Sequence, residues 1–138
     1  MMLEPGERQT TLEAQEQAIE SFRSSTSKVM LVAEDKEALV GFVVGIGNTA
    51  NRNKHSMCCV TGVLQAAAGM GLGNRLMTEL GNWAKAHGFT RLDLTAMAHN
   101  ERAKSLYLGR GFDIEGTKRN SLRVDGKYVD ELNMSKLW

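Results

Sequence analysis

The sequence predicts an α/β (α+β) fold in which a mixed β-sheet carries helices on both faces. The main observation is the order of the patterns, which is a helix, three strands, a helix, a strand, a helix and two strands. A second observation is a pair of hairpin signals, one between the first two strands and one between the last two. The chain has 138 residues, so we expect one domain over 1–138 with a two-layer core.

The first half of the chain predicts one helix and three strands. After an irregular lead-in, Thr10 or Thr11 can cap a helix over residues 12–24. Apolar and β-branched runs then predict strands over Lys28–Glu34, Ala38–Gly47 and Lys54–Val63.

The second half predicts a long helix from Leu72, which stops at Gly88. Leu72, Leu76, Leu80 and Trp83 recur at helical spacing in it. The remaining predicted elements are a strand over Thr90–Thr95, a helix over Asn100–Leu108, a strand from Phe112, a turn over Val124–Lys127 and a last strand from Tyr128.

Composition and charge exclude several classes of function. A formal net charge of +1 argues against a general nucleic-acid binder, which needs a basic surface. There is no long apolar run and no basic-then-apolar leader pattern, so we expect a cytoplasmic protein without a membrane partner. Cys58 and Cys59 are neighbours in a strand and point to opposite faces, so we expect reduced thiols. Two cysteines make no zinc set, and we expect no metal.

A glycine-rich turn joins the third strand to the long helix. Gly69, Gly71 and Gly73 alternate there with Met70 and Leu72. Glycines let a backbone turn sharply and approach a ligand closely, and the first N–H groups of a helix attract anions. The turn is therefore a candidate cradle for a pyrophosphate. The alternative is a tight turn without a ligand.

Two motifs together resemble the GCN5-related N-acetyltransferase (GNAT) superfamily. The segment GMGLGNRLM resembles the superfamily's coenzyme A (CoA) loop, and NERAKSLYLGRGF resembles its Asn-x-x-Ala-x-x-Leu-Tyr-x-x-x-Gly-Phe motif. The tail from Glu115 is similar to the last hairpin of bacterial members related to ribosomal-protein acetyltransferases. The resemblance implies a mixed, mostly antiparallel sheet and acetyl-CoA as co-substrate.

The resemblance also implies which residues form the site. Tyr107 is the expected catalytic acid, which would protonate the departing thiolate, although it can also be a packing residue. Asn100 would bind the pantetheine arm or cap its helix. The strand over Cys59–Val63 resembles the superfamily's splayed strand, whose free backbone groups would pair with that arm, with Val63 the main candidate. The expected CoA-binding residues are Val63, Gly69, Met70, Gly71, Leu72, Gly73, Asn74 and Asn100.

The expected reaction is direct, ternary-complex transfer of an acetyl group to a primary amine on a small molecule or on a protein. No cysteine stands where an acyl-enzyme would need it. The alternatives are a non-catalytic acyl-CoA-binding protein, including an inactive truncated member, and a regulatory module that binds another nucleotide. The oligomeric state is open, with a homodimer among the options.

The sequence departs from the superfamily pattern in two places. Ala66–Ala68 replaces a polar segment that often contains arginine, so we expect weaker CoA binding. The chain also starts at what resembles the second helix, so the domain is expected to be short at its N-terminus, without the usual first strand and helix.

The general base and the nucleotide contacts remain open from sequence. Candidates for the base are Glu34, Asp93, Glu101, Asp130, Glu131 and the histidines, including His99, and a water relay can replace all of them. Arg52, Lys54 and Lys118 are candidates for the 3′-phosphate of CoA, or are solubilising charges.

Overall fold

The computed structural model describes residues 25–35, 38–64 and 71–138 of the chain. Six strands and two helices lie in this part. They are β1 (Lys28–Asp35), β2 (Ala38–Gly47), β3 (Ser56–Val63), α1 (Leu72–Ala86), β4 (Arg91–Met97), α2 (Glu101–Gly109), β5 (Asp113–Val124) and β6 (Lys127–Leu137). The helix predicted over 12–24, the residues Gly69 and Met70, and the alanine run lie outside the described residues.

From the first strand onward the predicted order of elements is confirmed, with small corrections at the ends of the elements. β3 begins at Ser56 instead of Lys54, because the Ser56 N–H donates to the Asn53 carbonyl at 3.0 Å and closes a turn. β4 continues past Thr95 to Met97, because it stays paired with β6 as far as Glu131. These strand ends depend on partner strands that the local pattern does not reveal.

The sheet is mixed and mostly antiparallel, as the sequence resemblance implied. Its strand order is β1-β2-β3-β4-β6-β5, and β3–β4 is the parallel pair in this part of the chain. α1 is the crossover between these two strands, as a parallel connection requires. This break between two antiparallel halves determines where the candidate site forms.

Both described helices pack on the same face of the sheet. Side chains alternate along a strand, so Val43 and its neighbours two residues away face α1. The core on this face includes Leu76 and Leu80 of α1, Tyr107 of α2 and Met57 of β3. The other predicted helix, over 12–24, lies outside the described residues.

α1 begins and ends at glycines with left-handed backbone. Gly71 precedes it with φ 77°, and Gly88 follows it with φ 87°. Inside these limits Leu76, Met77, Leu80 and Ala84 are buried against the sheet. The helix therefore has a sharply defined N-terminus beside the end of β3.

None of the helices in the described part of the chain is long and apolar enough to span a membrane.

Candidate active site

β3 and β4 separate after a short stretch of pairing, which opens a gap in the middle of the sheet. Only three residue pairs join them, and the last is Cys58 with Asp93. β3 continues to Val63 and β4 to Met97 without further pairing between the two strands. The second half of β3 therefore has an antiparallel partner, β2, on one side only.

The direction of the backbone groups along β3 follows from two hydrogen bonds. The Leu64 N–H donates to the Val40 carbonyl at 2.8 Å, and the Asn48 N–H donates to the Ser56 carbonyl at 3.0 Å. In an antiparallel ladder every second residue points both its N–H and its C=O group to the partner strand. In β3 the even-numbered residues therefore pair with β2. The N–H and C=O groups of Thr61 and Val63 consequently point into the gap, where an extended ligand could pair with them.

A network of charged side chains fixes the point where the gap begins. The Arg91 guanidinium donates to both carboxylate oxygens of Asp93, at 3.1 and 2.6 Å, and also to Glu115 on β5. The Ser56 hydroxyl of β3 donates to Asp93 at 2.6 Å. Hydrogen bonding from Arg91 lowers the pKa of Glu115. The network ties β3, β4 and β5 together at the closed end of the gap.

The N-terminus of α1 faces the open end of the gap. The first intrahelical bond runs from the Arg75 N–H to the Gly71 carbonyl at 3.1 Å, so the N–H groups of Leu72, Gly73 and Asn74 precede it. No described side chain caps this end, and its first turn carries no acidic residue. The helix dipole therefore adds positive potential at a group of free donors, which suits an anion.

A cavity of about 640 Å³ connects the gap with this helix end. β3 contributes Thr61 and Val63 to its wall, the start of α1 contributes Gly71 to Asn74, and α2 forms the other side. α2 lies close to α1, because a Cβ atom on Gly73 would come within 2.9 Å of Leu106. The cavity is an elongated site with backbone donors and acceptors on one side and helix α2 on the other.

Asn100 caps α2 and also lines the cavity. Its Oδ1 accepts a hydrogen bond from the Ala103 N–H at 3.1 Å. Both roles that the sequence left open are therefore compatible, because the side-chain NH₂ group does not take part in the cap.

Tyr107 is the titratable residue that is most deeply set in the cavity wall. It is 8% exposed, and its ring packs on Phe112 with 5.9 Å between centroids. Burial raises the pKa of Tyr107, the nearby Cys59 raises it further, and the Thr61 side chain partly offsets the rise. The phenol is thus protonated at neutral pH and available as a proton donor.

The structure brings most of the predicted site residues together. The cavity wall includes Val63, Gly71, Leu72, Gly73, Asn74, Asn100 and Tyr107. Their roles in binding and catalysis stay predictions, and Gly69 and Met70 lie outside the described residues. Thr61, which belongs to the strand Cys59–Val63 that the resemblance implicated, also lines the cavity. Sequence reasoning missed Arg102 and Arg110, which line it too.

Other candidates lie away from the cavity. Arg52 and Lys54 are in the turn before β3, at the opposite end of that strand from Val63. Glu131 is 4% exposed and pairs with Lys118 at 3.6 Å, on the sheet face opposite the helices. Asp93 belongs to the Arg91 network. None of these residues is in the cavity wall.

Comparison with known proteins identifies the class. The family model for the acetyltransferase (GNAT) family matches residues 2–112. A GNAT-family acetyltransferase from Streptococcus pneumoniae superposes with a TM-score of 0.89 at 30% identity, covering 93% of this chain and 77% of that chain. Ribosomal-protein-alanine N-acetyltransferase from Brucella melitensis gives 0.84 at 27% identity, covering 96% and 82%.

A more distant relative adds support for the fold. A phosphinothricin acetyltransferase from Sinorhizobium meliloti, in complex with acetyl-CoA, has a TM-score of 0.85 at 17% identity. The match covers 99% of this chain and 74% of that chain. No curated protein matches the sequence. The fold and the family model define an acyltransferase, and the chain belongs to the acetyltransferase (GNAT) family.

Proposed function

We propose that this protein uses acetyl-CoA to acetylate a primary amine by direct transfer within a ternary complex. The observation that carries the proposal is one cavity that joins three features. The unpaired backbone at the end of β3 suits the amide-containing arm of acetyl-CoA. The uncapped N-terminus of α1 suits the pyrophosphate, and the buried hydroxyl of Tyr107 suits the thioester.

The donor would be bound mainly by backbone groups. Thr61 and Val63 would pair with the amides of the pantetheine arm as an added strand does. The N–H groups of Leu72 to Asn74 would hold the pyrophosphate, and the Asn100 NH₂ group would donate to a pantetheine carbonyl. The bound acetyl-CoA of the Sinorhizobium meliloti relative, whose fold is similar, supports this assignment.

The transfer step needs a neutral amine and a proton for the sulfur. The amine nitrogen attacks the thioester carbonyl carbon, the new N–C bond forms, and the C–S bond breaks. The thiolate takes the proton of the Tyr107 hydroxyl, water accepts the surplus proton of the amine, and solvent then reprotonates the tyrosinate. Tyr107 is a candidate for this role because it lines the cavity and because a tyrosine is protonated at neutral pH.

A covalent acyl-enzyme is a poor alternative because neither thiol is suited to it. Cys59 is buried, and desolvation raises its pKa to about 12, with smaller contributions from Cys58 and Asp93. The thiolate is the nucleophilic form, so this side chain is inert near neutral pH. Cys58 points to the opposite face of the sheet, away from the helices and the cavity.

The acceptor is a primary amine of a small molecule or of a protein N-terminus or lysine. The Brucella melitensis relative is named for ribosomal-protein alanine, which favours including a peptide with N-terminal alanine among the test acceptors. A matched panel would compare that peptide, its N-blocked form with a free lysine, and small amines.

The test is release of free thiol from acetyl-CoA, measured with this amine panel for the wild type, Tyr107→Phe and Tyr128→Phe. Tyr128 is the matched control because it is 65% exposed on β6. Tyr107→Phe should lower kcat by about 100-fold or more with little change in CoA affinity, as expected for loss of a general acid.

A Tyr107→Phe variant that keeps more than about half of the wild-type rate would remove the acid from the mechanism. CoA binding without thiol release for any amine would favour the alternative of a non-catalytic acyl-CoA-binding protein.

A further inference from the structure

We infer that Arg110 binds the 3′-phosphate of CoA, so that the protein discriminates CoA from 3′-dephospho-CoA. This inference rests on the proposed function, because it adds one contact to the acetyl-CoA site. No motif in the sequence indicated a binding role for Arg102 or Arg110, the two arginines in the cavity wall.

Arg110 stands where the main cavity meets a second groove. It follows the last residue of α2 and lines both the cavity and an adjoining groove of about 350 Å³. Lys85 and Lys136 also line that groove, so its charged side chains are all cationic. Cationic side chains therefore line the groove along the side of α1.

One hydrogen bond joins the Arg110 guanidinium to α1, and a second orients the hydroxyl that accepts it. Its Nη1 donates to the Thr78 hydroxyl at 3.3 Å, and that hydroxyl donates to the Asn74 carbonyl at 2.8 Å. In the described part of the chain no carboxylate forms an ion pair with Arg110. The remaining guanidinium N–H groups are available to an anion at this place.

The spacing of the two anion sites fits the chemistry of the CoA ribose. That sugar carries the pyrophosphate at its 5′ position and a phosphate at its 3′ position, so one ring separates the two anions. Thr78 lies four residues after Asn74, which is slightly more than one helical turn, or roughly 6 Å along the axis. A pyrophosphate on the N–H groups of Gly73 and Asn74 therefore brings the 3′-phosphate within reach of Arg110.

Arg102 provides a matched control within the same cavity. It carries the same charge and also lines the wall, but it is in the first turn of α2 beside Asn100. Eight residues separate the two arginines, which corresponds to roughly 12 Å along a helix. Arg102 is therefore near the pantetheine end of the site and Arg110 near the nucleotide end.

The experiment measures dissociation constants for CoA and 3′-dephospho-CoA by calorimetry at low salt. The proteins are the wild type, Arg110→Gln, Arg102→Gln and Thr78→Val. The wild type should prefer CoA by about five- to tenfold, the scale of one charge-assisted contact at an exposed site. Arg110→Gln should bring this ratio close to one by weakening CoA alone, and Arg102→Gln should keep it.

Thr78→Val removes the hydroxyl that positions the guanidinium, so the ratio should fall part of the way. The inference is overturned if the wild type does not discriminate, if Arg110→Gln still does, or if Arg102→Gln loses the ratio instead. If the wild type binds neither ligand, the proposed function itself fails. Equal binding of both ligands leaves the proposed function standing and rejects the role of Arg110.

Discussion

Replacing Gly71 by alanine should separate the ligand role of the glycine turn from its structural role. Gly71 and Gly88 have the same unusual backbone, with φ 77° and 87°, at the two ends of α1. No described atom lies within 4 Å of a Cβ built on either glycine. The two alanine variants therefore carry similar strain, but only Gly71 is in the cavity wall.

The magnitude follows from this geometry. An L-residue in the left-handed region costs roughly 1–2 kcal/mol, so both variants should lose about that much stability. At Gly71 the new methyl group also occupies the place where a pyrophosphate would meet the N–H groups of Leu72 to Asn74. Loss of one hydrogen bond to a charged acceptor, about 1.5–3 kcal/mol, would weaken CoA binding by roughly 10- to 100-fold.

The assay combines urea unfolding with calorimetric titration of CoA for the wild type, Gly71→Ala and Gly88→Ala. We expect equal losses of unfolding free energy in the two variants and a loss of CoA affinity in Gly71→Ala alone. A folded Gly71→Ala protein with wild-type CoA affinity would refute the pyrophosphate cradle. Equal loss of affinity in both variants would trace the effect to strain in α1.

Three further predictions concern titration and the core. The pKa of Cys59 is about 12 in the folded protein, which is above its value in the unfolded chain. The contribution of Cys59 to stability is therefore complete below about pH 9 and is lost as the pH rises towards 12. Between these pH values, the free energy of unfolding in urea should fall by about 1.4 kcal/mol per pH unit, and Cys59→Ala should remove this slope. Because the pKa of Tyr107 is also raised, the alkaline fall in kcat that depends on it should lie above about pH 10 and be absent from Tyr107→Phe. Leu80 is fully buried between α1 and the sheet, so Leu80→Ala should cost about 3 kcal/mol of unfolding free energy in the same assay.

Local patterns in the sequence were sufficient for most of the fold. The β5–β6 turn shows why: Asp125 and Gly126 have φ of 51° and 76°, the backbone that an Asp-Gly hairpin prefers. The α1 helix likewise ends at Ala86, just before Gly88, the residue that the sequence indicated as its stop. Such features depend on neighbouring residues alone, so they can be predicted from a single chain.

Parts of the site that depend on three-dimensional packing could not be predicted from local patterns. Nothing in the local sequence of β3 reports that β4 turns away after Asp93, and only the resemblance to the superfamily indicated a splayed strand over Cys59–Val63. The sequence does not distinguish Arg110 from an ordinary exposed arginine. Its place in the site depends on the packing of α2 beside α1, where it donates to Thr78. The motif spacing located the site, and contacts between distant segments determine its remaining members.

The short β3–β4 pairing has a consequence for hydrogen exchange. The centre of a sheet is usually its most protected region, but the amides of Thr61 and Val63 point into an open gap. In the free protein they should exchange quickly with solvent deuterium, while their neighbours bonded to β2 exchange slowly. A ligand that pairs with them would complete the sheet as a missing strand does, and its binding free energy would add to the stability of the whole fold. The bound substrate would then protect from exchange the amides of Thr61 and Val63, which the sheet itself leaves exposed.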